Sequence, residues 1–188
     1  MATSQKGEIL DTEVRKAARP EPIKAASPES LAREVAEPRL KVMLVCSSGG
    51  HLLQLYNLKP WWEQQDRTWV TFKMPDSMSL LGEEDVSWAH HPTTRNIGNM
   101  LRNLGLAWKL VRQHRPSVII SSGAGVAFPF FVIGRLFRAR TIYIEVYDRI
   151  DLPTLTGKLC YPLSNLFLLQ WEQQRRFYKR GVLIGKLL

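Results

Sequence analysis

A Rossmann-like, mostly parallel sheet with helices on both faces is the fold class this sequence predicts, and three observations predict it. From residue 39 onward, short apolar strand-type runs alternate with helical stretches, the pattern of a parallel α/β sheet. Two of the runs end in small, glycine-rich clusters, Cys46-Ser47-Ser48-Gly49-Gly50 and Ser121-Ser122-Gly123-Ala124-Gly125, as strand-to-helix turns do. About seven strands in roughly 150 residues make one domain of ordinary size.

Residues 1–38 are rich in Ala, Pro, Glu, Lys and Arg and poor in aromatics. Such a segment buries too little apolar surface to offset its ordering entropy, so a disordered tail is expected there, followed by one lobe over 39–188. No apolar stretch of the tail has the length of a secretion signal.

The lobe opens on a β run at 40–45, and His51 begins a helix reaching to about 64, with Leu52, Leu55 and Leu58 at helical spacing and Pro60 able to kink or end it. Strands are expected at 68–73 and 86–90. The clearest helix is Ile97–His114, with Ile97, Met100, Leu101, Leu104, Trp108 and Val111 on one face. Strand 117–120 leads through the second glycine cluster into a helix at 126–137, with Pro129 tolerated in its first turn. Strands at 141–145, 166–170 and 182–185 and helices at 155–164 and 171–179 complete the chain.

The formal net charge is +9, and residues 39–188 carry all of the excess, because the tail holds six Lys/Arg against seven Asp/Glu. A basic lobe favours an anionic partner: nucleic acid, a phosphorylated ligand or acidic lipid. No nucleic-acid-binding motif accompanies the charge. The longest apolar stretch, at 126–137, is far short of the 18 to 20 residues that span a bilayer. Arg95, Arg102, Lys109, Arg112 and Arg115 border the apolar face of Ile97–His114; that face either packs on the core or lies on anionic lipid. Cys46 and Cys160 fit neither a disulfide framework nor a zinc site and read as buried apolar filler. No cluster requires a metal.

Ligands of open parallel sheets bind beyond the carboxyl ends of the strands, and three polar clusters fall there. Ser47, Ser48, Gly49 and Gly50 form a turn whose amides suit a phosphate, or a plain strand-to-helix turn. The Walker lysine is absent, and so is the full GxGxxG spacing. His51 can act as general base on an acceptor hydroxyl, or serve as an ordinary polar residue. Ser122, Gly123 and Gly125 repeat the arrangement, so that two loops on one sheet edge can grip two ends of one anionic ligand. Glu145 can orient a sugar hydroxyl or take its proton, and Arg149 can pair with phosphate; alternatively Arg149 forms an internal ion pair with Glu145 or Asp148. A dinucleotide-binding reading is disfavoured because no acidic residue ends the second strand at Thr71-Phe72-Lys73.

Taken together, Ser47-Ser48-Gly49-Gly50-His51, Ser121-Ser122-Gly123-Ala124-Gly125-Val126, Tyr143-Ile144-Glu145 and the run from Arg149 through Asp151, Pro153 and Leu155 to Thr156-Gly157-Lys158 resemble the PssD family. These are bacterial exopolysaccharide glycosyltransferase subunits, similar to the membrane-recruiting subunit of the eukaryotic dolichol-linked N-acetylglucosaminyltransferase. The similarity continues through Tyr161-Pro162 and Phe167-Leu168-Leu169-Gln170-Trp171, and covers about residues 40–188. It implies one N-terminal-type lobe of a GT-B enzyme, holding a polyprenyl-diphosphate-linked saccharide at the inner face of the cell membrane by surface attachment. It also implies a small partner subunit that binds the UDP-sugar donor, inverting transfer with no cofactor, and no nucleic-acid partner. His51 and Glu145 would carry catalysis, with the serines and glycines of the two loops and Arg149 binding substrate. The rival implication is a non-catalytic membrane adaptor that recruits and activates a separate transferase.

Overall fold

The structure, a computed structural model, describes residues 39–187. The expectation of a disordered tail over 1–38 lies outside the described residues. Seven strands, β1 (Lys41–Val45), β2 (Asp66–Phe72), β3 (Val86–Ala89), β4 (Val118–Ser121), β5 (Arg140–Ile144), β6 (Leu166–Leu169) and β7 (Val182–Leu183), form one sheet in the order β3-β2-β1-β4-β5-β6-β7. Every pairing is parallel. Strand order reverses between β1 and β4, so the chain leaves these neighbours in opposite directions and a crevice opens beyond their carboxyl ends.

Successive residues of a strand face opposite sides, and here both sides are apolar. Met43, Val45, Ile119 and Tyr143 face one core, covered by α4 (Ile97–His114) and α5 (Ala127–Leu136). Val42, Leu44, Ile120 and Ile144 face the other, covered by α1 (Gly50–Tyr56) and α2 (Lys59–Trp62). A Cβ on Gly134 would come within 2.5 Å of Ile119 Cδ1, so α5 lies close on β4 there and a side chain at 134 would require Ile119 to shift. The 126–137 segment is thereby packed on the sheet. Cys46 and Cys160 are both buried free thiols, and burial pushes Cys46 up to about 12.

Several boundaries differ from expectation. The helix predicted from His51 to about 64 is two pieces, because the chain turns at 57–58 and Pro60 starts α2. Helix α3 (Pro75–Leu80) was not legible in the apolar spacing. The helix expected at 155–164 is α6 (Leu155–Cys160) followed by a 3₁₀ turn at Tyr161–Leu163, where Pro162 removes a donor. The helix expected at 171–179 is only a 3₁₀ turn, Glu172–Arg176.

Helix α4 departs furthest from its apolar pattern. Its buried residues are Asn99, Asn103, Ala107, Leu110 and Val111, while Ile97 is 70% exposed, Leu101 59% and Trp108 45%. The inward amides explain this rotation. Asn103 accepts from His90 N–H at 2.8 Å and donates to His90 O at 2.9 Å, and Asn99 donates to Pro92 O at 2.9 Å. They supply the peptide groups between β3 and α4 with partners, which leaves the front of the apolar stripe facing outward. No helix of the described residues is long and apolar enough to cross a membrane.

Candidate functional site

The crevice at the β1/β4 reversal is where the two glycine clusters meet. Gly49 has φ +75°, a conformation that lets the backbone turn from β1 into α1 and that side chains disfavour. Its N–H donates to Asp76 Oδ2 at 2.6 Å, from the first turn of α3. Ser47 and Ser48 are half-buried, and the Ser47 hydroxyl donates to Ser48 O at 3.2 Å. At the end of β4 the Gly123 N–H donates to Ser121 Oγ at 3.0 Å. The two loops therefore grip each other and their own neighbours: the Ser122 hydroxyl donates to His51 O at 2.6 Å, and His51 Nδ1 lies 2.7 Å from Ser122 O.

That last contact fixes the imidazole. A carbonyl only accepts, so Nδ1 carries the proton and Nε2 holds the free lone pair in the neutral ring. Burial lowers the His51 pKa, against the opposing pull of the Ser122 carbonyl and the Asp148 charge, so the ring is held neutral near pH 7. Gly123, at φ +116°, is the floor of this arrangement. A Cβ there would lie 2.9 Å from Tyr143 OH and 3.0 Å from His51 Cε1.

His51 lines a cleft of about 430 Å³ with Gly50, Gln54, Val146, Tyr147, Asp148, Arg149 and Thr154. Arg149 is exposed at its edge and has no partner among the ion pairs of the described residues, so the internal pair with Glu145 or Asp148 is not formed. Glu145 does not line the cleft. Its side chain is 0% exposed, and Oε1 accepts from Val146 N–H at 3.1 Å and from the Thr154 hydroxyl at 3.0 Å. Thr154 Oγ1 in turn accepts from Gly157 N–H at 2.8 Å as the N-cap of α6. Burial raises the Glu145 pKa, and its Oε2 has no hydrogen-bond partner. Glu145 thus lies beneath the cleft, bonded to the hydroxyl of Thr154, a residue that lines it.

A second concavity, of about 530 Å³, adjoins the first. Its lining includes Arg95, Ile97, Met100, Gly125, Phe128, Leu155 and Leu159. Thr154 belongs to the cleft and Leu155 to this groove; Gly123 abuts His51, whereas Gly125, two residues on, lies in the groove against Thr93. The β4 loop and the start of α6 are therefore a shared wall. The cleft side carries His51, Asp148 and Arg149, and the groove side is the more apolar of the two.

The structure thus gathers His51, Gly50 and Arg149 on one cleft, with Ser122 and Gly123 behind the histidine, Gly125 on the groove, Glu145 below, and Ser47, Ser48 and Gly49 on the turn leading in. Sequence reasoning missed Thr154, Gln170, Trp171 and Gln174. Trp171 and Gln174 hold the cleft's 146–149 rim by its carbonyls and Gln170 holds that of Glu145; Gln170 and Trp171 close the last stretch of the resemblance, but nothing in the run assigned them this task. Among the described residues no group of three or more His, Cys, Asp or Glu side chains is gathered to hold a metal.

Comparison with known proteins gives this geometry relatives. Residues 87–187 match the family model described as oligosaccharide biosynthesis protein Alg14 like. The UDP-N-acetylglucosamine transferase subunit ALG14 of Candida albicans is 26% identical over 178 residues, covering 82% of this chain and 80% of that protein. Its namesake in Homo sapiens is 24% identical over 112 residues, covering 56% of this chain and 50% of that one. Among solved structures, Acinetobacter baumannii MurG matches with TM-score 0.60 at 16% identity, over 72% of this chain and 43% of that chain. The UDP-N-acetylglucosamine 2-epimerase of Rickettsia bellii matches with TM-score 0.64 at 11% identity, over 80% and 46%. At such identities these structures bear on the fold alone, a Rossmann-like sheet, and the chain spans less than half of each.

Proposed function

The chain belongs to the Alg14-like family of oligosaccharide biosynthesis proteins, and from that membership we propose that it is the acceptor-binding subunit of a two-component UDP-sugar-dependent glycosyltransferase. Its acceptor is a saccharide carried on a polyprenyl diphosphate, extended in exopolysaccharide synthesis, and its place is the cytoplasmic surface of the membrane. The observation that carries this reading is the shared wall: a cleft bearing a neutral histidine and a free arginine backs directly onto a more strongly apolar groove. An amphiphile with a saccharide-diphosphate head and a hydrocarbon tail has that division of chemistry.

In the reaction we propose, the acceptor hydroxyl lies against His51 Nε2. As its oxygen bonds the anomeric carbon of the donor sugar, the proton passes to Nε2 and the nucleoside diphosphate leaves from the opposite face, inverting the centre. Hydrogen bonding of Nδ1–H to Ser122 O stabilises the imidazolium that forms. Arg149 offers its guanidinium to the acceptor diphosphate. The UDP-sugar, for which UDP-N-acetylglucosamine is the first choice from the names of the relatives, is held mainly by a small partner subunit, and no metal or other cofactor takes part. Around the groove, exposed Ile97, Leu101, Leu152 and Leu155 beside Arg95, Arg102 and Lys158 suit an anionic lipid surface.

One observation favours the adaptor reading. Asp76 already occupies the Gly49 N–H, so the first glycine turn holds an internal carboxylate where a ligand phosphate was expected. Reconstitution with the donor-binding partner and labelled UDP-sugar separates the two readings. Loss of transfer to membrane lipid by His51→Ala, with the complex still assembled, supports the catalytic reading. Full transfer by that variant would leave only the adaptor.

A further inference from the structure

The 146–149 rim of the cleft has little of its own to hold it. Asp148 and Arg149 are exposed, and residues 146–149 lie in the connection between β5 and α6. Yet the carbonyls of Val146, Tyr147 and Arg149, together with that of Glu145, are met by three side chains from the segment just past the carboxyl end of β6. Gln170 Nε2 donates to Glu145 O at 2.9 Å, and Trp171 Nε1 to Tyr147 O at 2.7 Å. Gln174 Nε2 donates to Val146 O at 3.0 Å and to Arg149 O at 3.1 Å. One carboxamide thus joins the first and last residues of the rim.

Gln174 is anchored as well as engaged. It is 0% exposed, and its Oε1 accepts from Gln170 N–H at 3.0 Å and Trp171 N–H at 3.3 Å, fixing it to the end of β6. Both amide protons and the amide oxygen are therefore used. Glutamate would keep the acceptor and lose both donors, and asparagine falls one methylene short. Gln170 is fixed in the same way, its Oε1 accepting from Leu187 N–H at 3.0 Å.

We propose that Gln174 is the positioning residue of the cleft rim, setting where Arg149 stands relative to His51 by holding backbone carbonyls rather than by touching the ligand. Gln170 and Trp171 complete the clamp. The effect on activity rests on the acceptor-site reading above; the effect on the rim does not.

The test uses the full chain with Gln174→Met, Gln174→Glu and Trp171→Phe, the last removing a single donor while keeping a ring against Tyr147. In hydrogen exchange followed by mass spectrometry, peptides over 146–149 should exchange at least about tenfold faster in the Gln174 variants, with β1 and β4 unchanged. In the reconstituted pair, with UDP-N-acetylglucosamine and a short-chain prenyl-diphosphate N-acetylglucosamine, the acceptor KM should rise about tenfold and the donor KM stay within about twofold. In an Arg149→Ala background the same change should act less than about twofold, because both substitutions work through one group. Unchanged rim exchange overturns the proposal, and so does a loss in kcat alone that adds fully to Arg149→Ala. Should Gln174→Met fail to fold, Trp171→Phe carries the same readouts at smaller amplitude. If the unaltered pair transfers nothing to this probe, the acceptor reading fails while the exchange experiment still decides the clamp.

Discussion

Ser122 holds His51 twice, its carbonyl 2.7 Å from the ring nitrogen Nδ1 and its hydroxyl 2.6 Å from the histidine's own carbonyl. Main chain and side chain of the histidine are thereby fixed by one residue of a loop 71 positions away. His51→Ala should lower the kcat of the reconstituted pair by about 10²-fold or more. Gly123→Ala should lower it in the same direction by displacing the ring. Steady-state rates at saturating donor would check both.

The pH profile follows from the same contact. In the proposed reaction the free base is the competent form, and burial lowers the His51 pKa beneath its ordinary value near 6.5. Activity should be flat through neutrality and fall only as pH drops below that value, toward the lowered pKa. Stability has the same sign: below the ordinary value the unfolded chain takes up a proton that the native ring resists, so the fold weakens with acid until the native ring also titrates. A kcat limb centred above pH 7 would contradict the assignment.

Glu145 should respond to charge removal in the opposite way from a catalytic carboxylate. Its folded pKa is raised, so its contribution to stability is full at acid pH and is lost as pH rises through the raised value. Glu145→Gln, which keeps an acceptor for Val146 N–H and the Thr154 hydroxyl, should leave thermal stability near neutrality unchanged or improved and retain most transfer activity. Glu145→Ala should cost about 1–3 kcal/mol, read by denaturant titration, because it strands both donors.

Gly157 tests the same buried cluster from its other side. Any Cβ there would meet Glu145 Oε2, Tyr178 OH and Thr154 Oγ1. Gly157→Ala should therefore destabilise by about 1–3 kcal/mol despite its gain in helix propensity. An unchanged melting curve would show that the cluster gives way.

The groove makes a prediction about surfaces. Ile97→Asp and Leu155→Asp change side chains that are 70% and 73% exposed, so the fold should be intact by circular dichroism. Co-sedimentation with vesicles containing phosphatidylglycerol should nonetheless fall severalfold. Equal sedimentation of both variants would remove the lipid face from α4 and α6.

The sheet was legible in the sequence because alternation and turn chemistry are local. All seven strands stand within two residues of where apolar runs and glycine clusters put them. Site geometry was less legible, because hydrogen bonds made it across long separations. Nothing in Ser-Ser-Gly-Gly-His indicates that its partner is the Ser122 carbonyl, or that Asp76 reaches the Gly49 amide. Glu145 stands one residue past the carboxyl end of β5, close to where the apolar run put it, but its burial and its bond to the Thr154 hydroxyl are not revealed by spacing. Helix α4 misled for the reverse reason. Its periodicity named an apolar face, and two asparagines decided which way that face turned.

That rotation of α4 reaches beyond the site. A helix that spends its inward positions on Asn99 and Asn103 sends Ile97, Leu101 and Trp108 into contact with the medium. In plain buffer those side chains are the natural points at which one molecule adheres to the next, so colloidal behaviour becomes a readout of the helix's orientation. The chain should stay monodisperse in mild non-ionic detergent and associate as the detergent is withdrawn.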